Sequence, residues 1–160
     1  MTTAGGTHFR APWSSRLKAF TAAFLVLMAV VVAVTPMPTR LLPFVIVGIT
    51  AAFSVRGYTV RPRELLVHRL GWATRIRLDD LESVTAEPNV TLGSVRLFGI
   101  GGAFAFVGSF RNATLGSYRA YVTDPAFAVV VALGTGKIVV TPDSPVRFVE
   151  SILHATGRRS

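Results

Sequence analysis

The chain has 160 residues, with seventeen Lys and Arg against eight Asp and Glu, a formal charge of +9 and no Cys. Without Cys there are no disulfides and no thiolate metal sites. The basic balance does not read as nucleic-acid binding, because no Lys/Arg run, recognition-helix pattern or zinc spacing accompanies it. The charge is also unevenly placed: residues 1–56 hold five basic residues and no acid, and residues 57–160 hold twelve basic and all eight acidic residues. The excess is therefore partly a membrane-topology signal and partly a mildly basic domain of about 100 residues, large enough for its own core.

Residues 1–16 form a short N-terminal segment with Trp13 near its end, followed by two apolar runs, Leu17 to Val34 and Leu41 to Val55, separated by the Pro-containing stretch Thr35 to Arg40. As helices they would be about 27 Å and about 22 Å long, against a hydrocarbon core of about 30 Å. Lys18 alone interrupts the first run, close enough to its end to snorkel. Residues 17–56 thus read as a two-helix transmembrane hairpin. A cleaved signal ending near Val31-Val32-Ala33 with one following anchor is an alternative, as is an interfacial arrangement, but a second apolar run follows too closely for a simple signal. Arg10, Arg16 and Lys18 on one flank and Arg56, Arg61, Arg63 and Arg69 on the other, with only Arg40 between, place both ends on the cytoplasmic face of the cell (inner) membrane. Trp13 and Tyr58 flank the hairpin as expected of aromatic anchors at that interface. Pro36 and Pro38 end the first helix, and Pro43 suits the first turn of the second.

From Gly57 the hydrophobic period changes to two. Tyr58 to Val60, Leu65 to Leu70, Ala73 to Leu78 and Leu81 to Val84 read as four short strands, with Ile76 and Leu78 facing inward and Arg75 and Arg77 outward. The Gly-rich stretch Leu97 to Phe110 follows as an insertion. Tyr118 to Thr123, Phe127 to Leu133 and Lys137 to Val140 make three more strands. A helix then runs from an N-cap at Ser144, with Pro145 at its first position, to Gly157, and its apolar stripe is Phe148, Val149, Ile152 and Leu153.

Ile76 to Val84 (I-x-L-D-D-L-x-x-V), Arg111 to Asp124 (RNATLGSYRAYVTD) and Val139 to Ile152 (VVTPDSPVRFVESI) carry a resemblance. They are similar to the bacterial pleckstrin-homology (PH)-like domains tethered by an N-terminal pair of membrane helices. The resemblance covers most of residues 57–156 and implies an all-β roll of two orthogonal antiparallel sheets, seven strands in all, capped by a C-terminal α-helix. It says little about a ligand.

Three groups of residues invite a functional reading. Arg61, Arg63, Arg75 and Arg77 loosely imitate the basic pattern with which eukaryotic PH domains hold phosphoinositides, and guanidinium forks suit phosphate. The alternative is a solvated basic face, and either reading permits attraction to anionic lipid headgroups. Phe98, Phe104 and Phe106 in the Gly-rich stretch either touch the bilayer or a partner, or complete the roll. Gly99, Gly101 and Gly102 make no GxGxxG, and no GK[ST] follows, so no nucleotide site is expected. Asp79, Asp80 and Glu82 read as a turn. Asn89 and Asn112 head chance glycosylation acceptors, and the three His lack metal-ligand spacing. No cofactor and no catalytic residue is expected. The expected function is a non-catalytic, membrane-tethered binding or scaffold module that engages a protein or peptide partner, itself, or anionic headgroups. A structural subunit of a membrane complex is an alternative, as is an enzyme with a Gly-rich lid.

Overall fold

The computed structural model describes residues 2–3, 6–100 and 104–157. In chain order the elements are β1 (Thr2–Thr3), β2 (Gly6–Arg10), α1 (Ser15–Val34), a 3-10 turn (Thr39–Leu41), α2 (Leu42–Ala52), β3 (Val55–Arg61), β4 (Glu64–Arg69), β5 (Ala73–Arg77), β6 (Leu81–Ala86), β7 (Val95–Ile100) and β8 (Phe106–Asn112). They continue with β9 (Gly116–Val122), a 3-10 turn (Pro125–Phe127), β10 (Val129–Leu133), β11 (Gly136–Val140) and α3 (Pro145–Ala155). The strands form a five-stranded sheet, β1-β2-β3-β4-β5, and a six-stranded sheet, β6-β10-β11-β9-β8-β7.

The main core lies between the sheets. Tyr58, Val60, Leu65, Val67 and Ile76 face Val107, Tyr121, Val129, Val131, Ile138 and Val140, and Phe148 and Ile152 of α3 pack into the same cluster. A second cluster, Phe110, Leu115, Tyr118, Ala120, Val122, Val130 and Val139, covers the outer face of the six-stranded sheet. With both faces covered, every residue of β10 is buried, which is why that strand is a continuous apolar run without alternation.

Several expectations are corrected. The seven expected strands are present, but further strands join them. Residues 97–110 are not a separate insertion: β7 and β8 are an antiparallel hairpin on the edge of the six-stranded sheet. The N-terminal segment supplies β2, which pairs with β3 through Thr7↔Val60, Phe9↔Tyr58 and Arg10↔Gly57. Gly57 permits that approach, since a Cβ there would lie 2.7 Å from the Phe9 carbonyl oxygen. The six-stranded sheet is also not wholly antiparallel, because β9 and β11 run parallel. The link through Pro125–Phe127 carries the chain past one strand position, and the tight β10–β11 turn returns β11 into the gap.

The second apolar run yields a helix of 11 residues, Leu42–Ala52, about 16 Å long. It ends early because Val55 is recruited into β3, fully buried and paired with Arg69. Among the described residues, α1 is the one helix long and apolar enough to cross a membrane by length and composition. In α3, Ser144 holds the N-cap position but its hydroxyl caps nothing.

A polar network is buried where the sheets meet. The Tyr58 hydroxyl donates to the Tyr121 carbonyl at 2.6 Å and accepts from the Thr141 N–H at 3.2 Å. The Thr141 hydroxyl accepts from the Thr123 N–H at 3.0 Å. Burial pushes the Tyr58 phenol up to about 12, the hydrogen bonds to Thr141 opposing the rise. The folded state thus holds the phenolic proton more tightly than the unfolded chain. The stability this contributes is complete below pH 10 and is lost as pH rises from 10.0 to about 12. Tyr58→Phe is expected to cost about 1–3 kcal/mol at neutral pH, since it leaves the Thr141 N–H and the Tyr121 carbonyl unpaired. It should also remove its share of the alkaline loss, as read from thermal melts of the full chain in mild detergent across that pH range.

Candidate functional site

The apolar helices leave the domain next to this network. The Ser14 N–H donates to the Thr123 carbonyl at 3.3 Å, and the Ser14 hydroxyl caps α1 by accepting from the Leu17 N–H at 3.1 Å. Leu17 and Thr21 are buried against the domain. The Thr21 hydroxyl accepts from the Phe104 N–H at 3.1 Å, and the Phe104 ring meets Trp13 and Phe24 edge-on at 6.2 and 6.4 Å. Phe104 does so with a φ of 67°, a left-handed conformation costly for a bulky side chain. The β7–β8 hairpin is therefore held against the first turns of α1.

Beyond those turns the helices contact little but each other. Val26, Leu27, Val30 and Val34 of α1 and Phe44, Val45 and Ile49 of α2 are exposed, Val34 at 75%. Their polar side chains bond to the helices' own backbone: Thr35 Oγ1 donates to the Val31 carbonyl at 2.6 Å and Thr50 Oγ1 to the Ile46 carbonyl at 2.8 Å. At the foot of the helices exposed apolar side chains form a rim, with Phe20 and Leu92 sharing a cleft and Trp72 and Phe98 beside Phe53, Phe98 at 82%. A cleft of about 590 Å³ separates the start of α1 (Ser15, Arg16, Phe20) from the outer face of the six-stranded sheet (Phe106, Phe110, Tyr118).

The residues singled out from sequence fall in different places. Trp13 is half-buried against Phe104 at the foot of α1. Tyr58 is not an interface anchor: it is fully buried in the core, because its place in β3 faces inward and its hydroxyl finds backbone partners there. Phe98 projects from β7, Phe104 turns onto α1, and Phe106 packs on the second core cluster. Gly101 and Gly102 lie outside the described residues. Arg75 and Arg77 lie exposed on edge strand β5, with Arg77 opposite Glu64 and Glu64 opposite Arg61. Arg63 occupies the β3–β4 turn with a φ of 59°. The four arginines share one exposed face and its turn. Asp80 is a turn residue whose carbonyl accepts from the Gly134 N–H at 2.9 Å. The Asn112 amide is used inside the fold, donating to the Val90 carbonyl at 2.7 Å.

Two arrangements escaped sequence reasoning. On the exposed face of the five-stranded sheet, Thr59 Oγ1 lies 3.1 Å from His8 Nδ1 and 2.8 Å from His68 Nε2, the rings edge-on at 5.6 Å. The cluster joins β2, β3 and β4. No spacing rule reveals it, because residues so far apart meet only through strand register. At the end of β4, the Arg69 guanidinium stands over the rings of Phe53, Trp72 and Tyr121 at 5.4, 5.8 and 5.4 Å. Its Nε is buried with no hydrogen-bond partner among the described residues. It lines a cavity of about 370 Å³ together with Phe53, Phe98, Ser109, Arg119 and Tyr121. The sequence signal for it is an arginine interrupting an apolar strand.

A family model described as a bacterial PH domain matches residues 56–155, from the start of β3 to the end of α3. No curated protein and no solved structure is detectably similar to the chain.

The histidine cluster has a consequence in acid. Burial, then the neighbouring His8 and Arg61, hold His68 below its ordinary 6.5. The folded state thus favours neutral His68, and the stability this gives is present above pH 6.5 and lost as pH falls through the lowered value. Amide exchange of Thr7 and Phe9, corrected for intrinsic rate, should quicken between pH 7 and about pH 5 as the β2–β3 pairing loosens. His68→Gln should flatten that dependence.

Proposed function

On the premise that the chain belongs to the bacterial PH domain family, we propose that it is a non-catalytic binding module tethered to the cytoplasmic face of the cell membrane by α1 and α2. The observation that carries this reading is the bare apolar surface of α1. Its 20 residues make a rod about 30 Å long, matched to a hydrocarbon core, and past Thr21 almost nothing in the fold covers it. Such a surface is far larger than water-exposed apolar patches usually are. The hairpin enters and returns on one side, because β2 before it and β3 after it are paired neighbours. The shorter α2 packs beside α1, and the bilayer adapts to its length by tilt or local thinning. Arg40 at the far turn is tied by its Nε to the Thr35 carbonyl at 3.2 Å, where its charge reaches the opposite interface.

In this arrangement the apolar rim lies at the headgroup boundary. Arg61, Arg63, Arg75 and Arg77 act as a field of positive charge that draws anionic headgroups or an acidic partner to the domain. They are spread along an exposed face, so they attract without enclosing.

Two outcomes are expected. The full chain should resist carbonate extraction, with reporters at Met1 and Ser160 reading cytoplasmic and one within residues 35–40 reading external. Release by carbonate, or an external reporter at Ser160, overturns the tether or its orientation. Second, since Arg10 stands opposite Gly57, residues 15–52 can be replaced by a short Gly-rich turn that keeps β2. This soluble form should co-sediment with anionic vesicles, each Gln replacement among the four arginines weakening it by about 1 kcal/mol. Added salt should weaken it too. Binding indifferent to both would refute the charge-field reading.

A further inference from the structure

The cavity at the foot of α2 differs in kind from the open arginine face. Three aromatic rings surround the Arg69 guanidinium, replacing water with ring faces that attract a cation but accept no conventional hydrogen bond. Its Nε–H is shut off from solvent and unpaired among the described residues. Arg119, two residues before Tyr121 on the same face of β9, brings a second guanidinium to the cavity, and its lining contains no carboxylate. Two cations, one partly desolvated, thus share a concave site of about 370 Å³, a volume in the range of small-molecule sites. The Ser109 side chain adds a hydroxyl to the lining.

The walls indicate what carries the anion. Phe53 is the C-cap residue of α2, so the cavity opens where the apolar helix meets the domain. Phe98 lines it and is largely exposed, and Trp72, also exposed, stacks edge-on against Phe53 at 5.3 Å. Apart from the two guanidiniums, the Ser109 hydroxyl and backbone, the lining is aromatic and aliphatic. We propose that this cavity binds the phosphate of an anionic phospholipid, with Arg69 and Arg119 as its donors and Phe53, Phe98 and Trp72 against the start of the acyl chains. The assignment rests on the reading that α1 and α2 lie in the bilayer, and it names a site separate from Arg61, Arg63, Arg75 and Arg77. Two guanidiniums converging on one cavity, one of them caged by rings, select a headgroup, whereas a dispersed charge field does not.

Trp72 serves as the reporter. The chain has two Trp, so Trp13→Phe leaves Trp72 alone beside Arg69. The full chain in non-ionic detergent is titrated with short-chain phosphatidylglycerol, short-chain phosphatidylcholine and inorganic phosphate, following Trp72 emission. The expected result is a saturable change with phosphatidylglycerol, and binding at least about tenfold weaker for the other two probes. Arg69→Gln and the exposed Arg119→Gln should each weaken phosphatidylglycerol about tenfold or more, and Arg147→Gln, exposed on α3, should leave it unchanged. Equal response to phosphatidylcholine, wild-type binding by Arg119→Gln, or inorganic phosphate binding as tightly as the lipid would overturn the assignment. Carbonate extraction of the same variants separates the two readings. A chain that stays in the membrane but fails these titrations loses only this site, whereas one released by carbonate loses the tether on which the site depends.

Discussion

The hydroxyl of Tyr58 joins two sheets that meet mainly through apolar contact. It bonds to the Tyr121 carbonyl from β9 and the Thr141 N–H just after β11, tying the five-stranded sheet to the six-stranded one at a fully buried point. The neighbouring Thr123 holds the Ser14 N–H through its carbonyl, so the first residues of α1 spring from the same knot. Apolar packing sets how closely two sheets approach but is tolerant of sliding. Directional bonds among groups cut off from water fix a single arrangement, because any slip leaves a buried donor or acceptor unpaired. The angle at which the apolar helix departs is thereby linked to the way the sheets are joined.

Much of the domain was legible because local chemistry and global position agree. In β5, Ile76 is buried while Arg75 and Arg77 are exposed, as strict alternation requires. Gly71, Gly136 and Gly157 take the positive φ values that their turns and the helix end demand. Phe148 and Ile152 are fully buried on the predicted stripe of α3. What could not be read were features decided by partners distant in sequence. β2 contributes one buried aromatic, Phe9, and becomes a strand because the edge of β3 is there to receive it. β7 and β8 hide their alternation, since Phe106 and Phe110 serve one core cluster and Val107 the other. The early end of α2 reflects competition for Val55, which gains more from burial between paired strands than from another helical turn.

The candidate sites show the same division. The exposed arginines were visible as a composition of charge, and the structure leaves them dispersed along a face and a turn. Arg69 was visible only as an interruption in an apolar strand, and its surroundings come from α2, the β4–β5 turn and β9. An identical guanidinium becomes a solvated charge in one place and a caged, incompletely bonded one in the other. Neighbours recruited by topology make that difference, not residue type.

The pairing of β2 with β3 also bears on the order in which the chain takes shape during synthesis. β2 leaves the ribosome well before the Val55–Arg61 strand it pairs with, and almost everything between them is the apolar hairpin. Until that strand follows, β2 waits without its β3 partner. The β2–β3 pairing can form only after the chain has run out along α1 and returned along α2. A nascent chain whose second helix failed to return would leave the edge of β3 open and Phe9 without its pocket against Phe148. Closure of the sheet therefore depends on both apolar helices having been made and turned back.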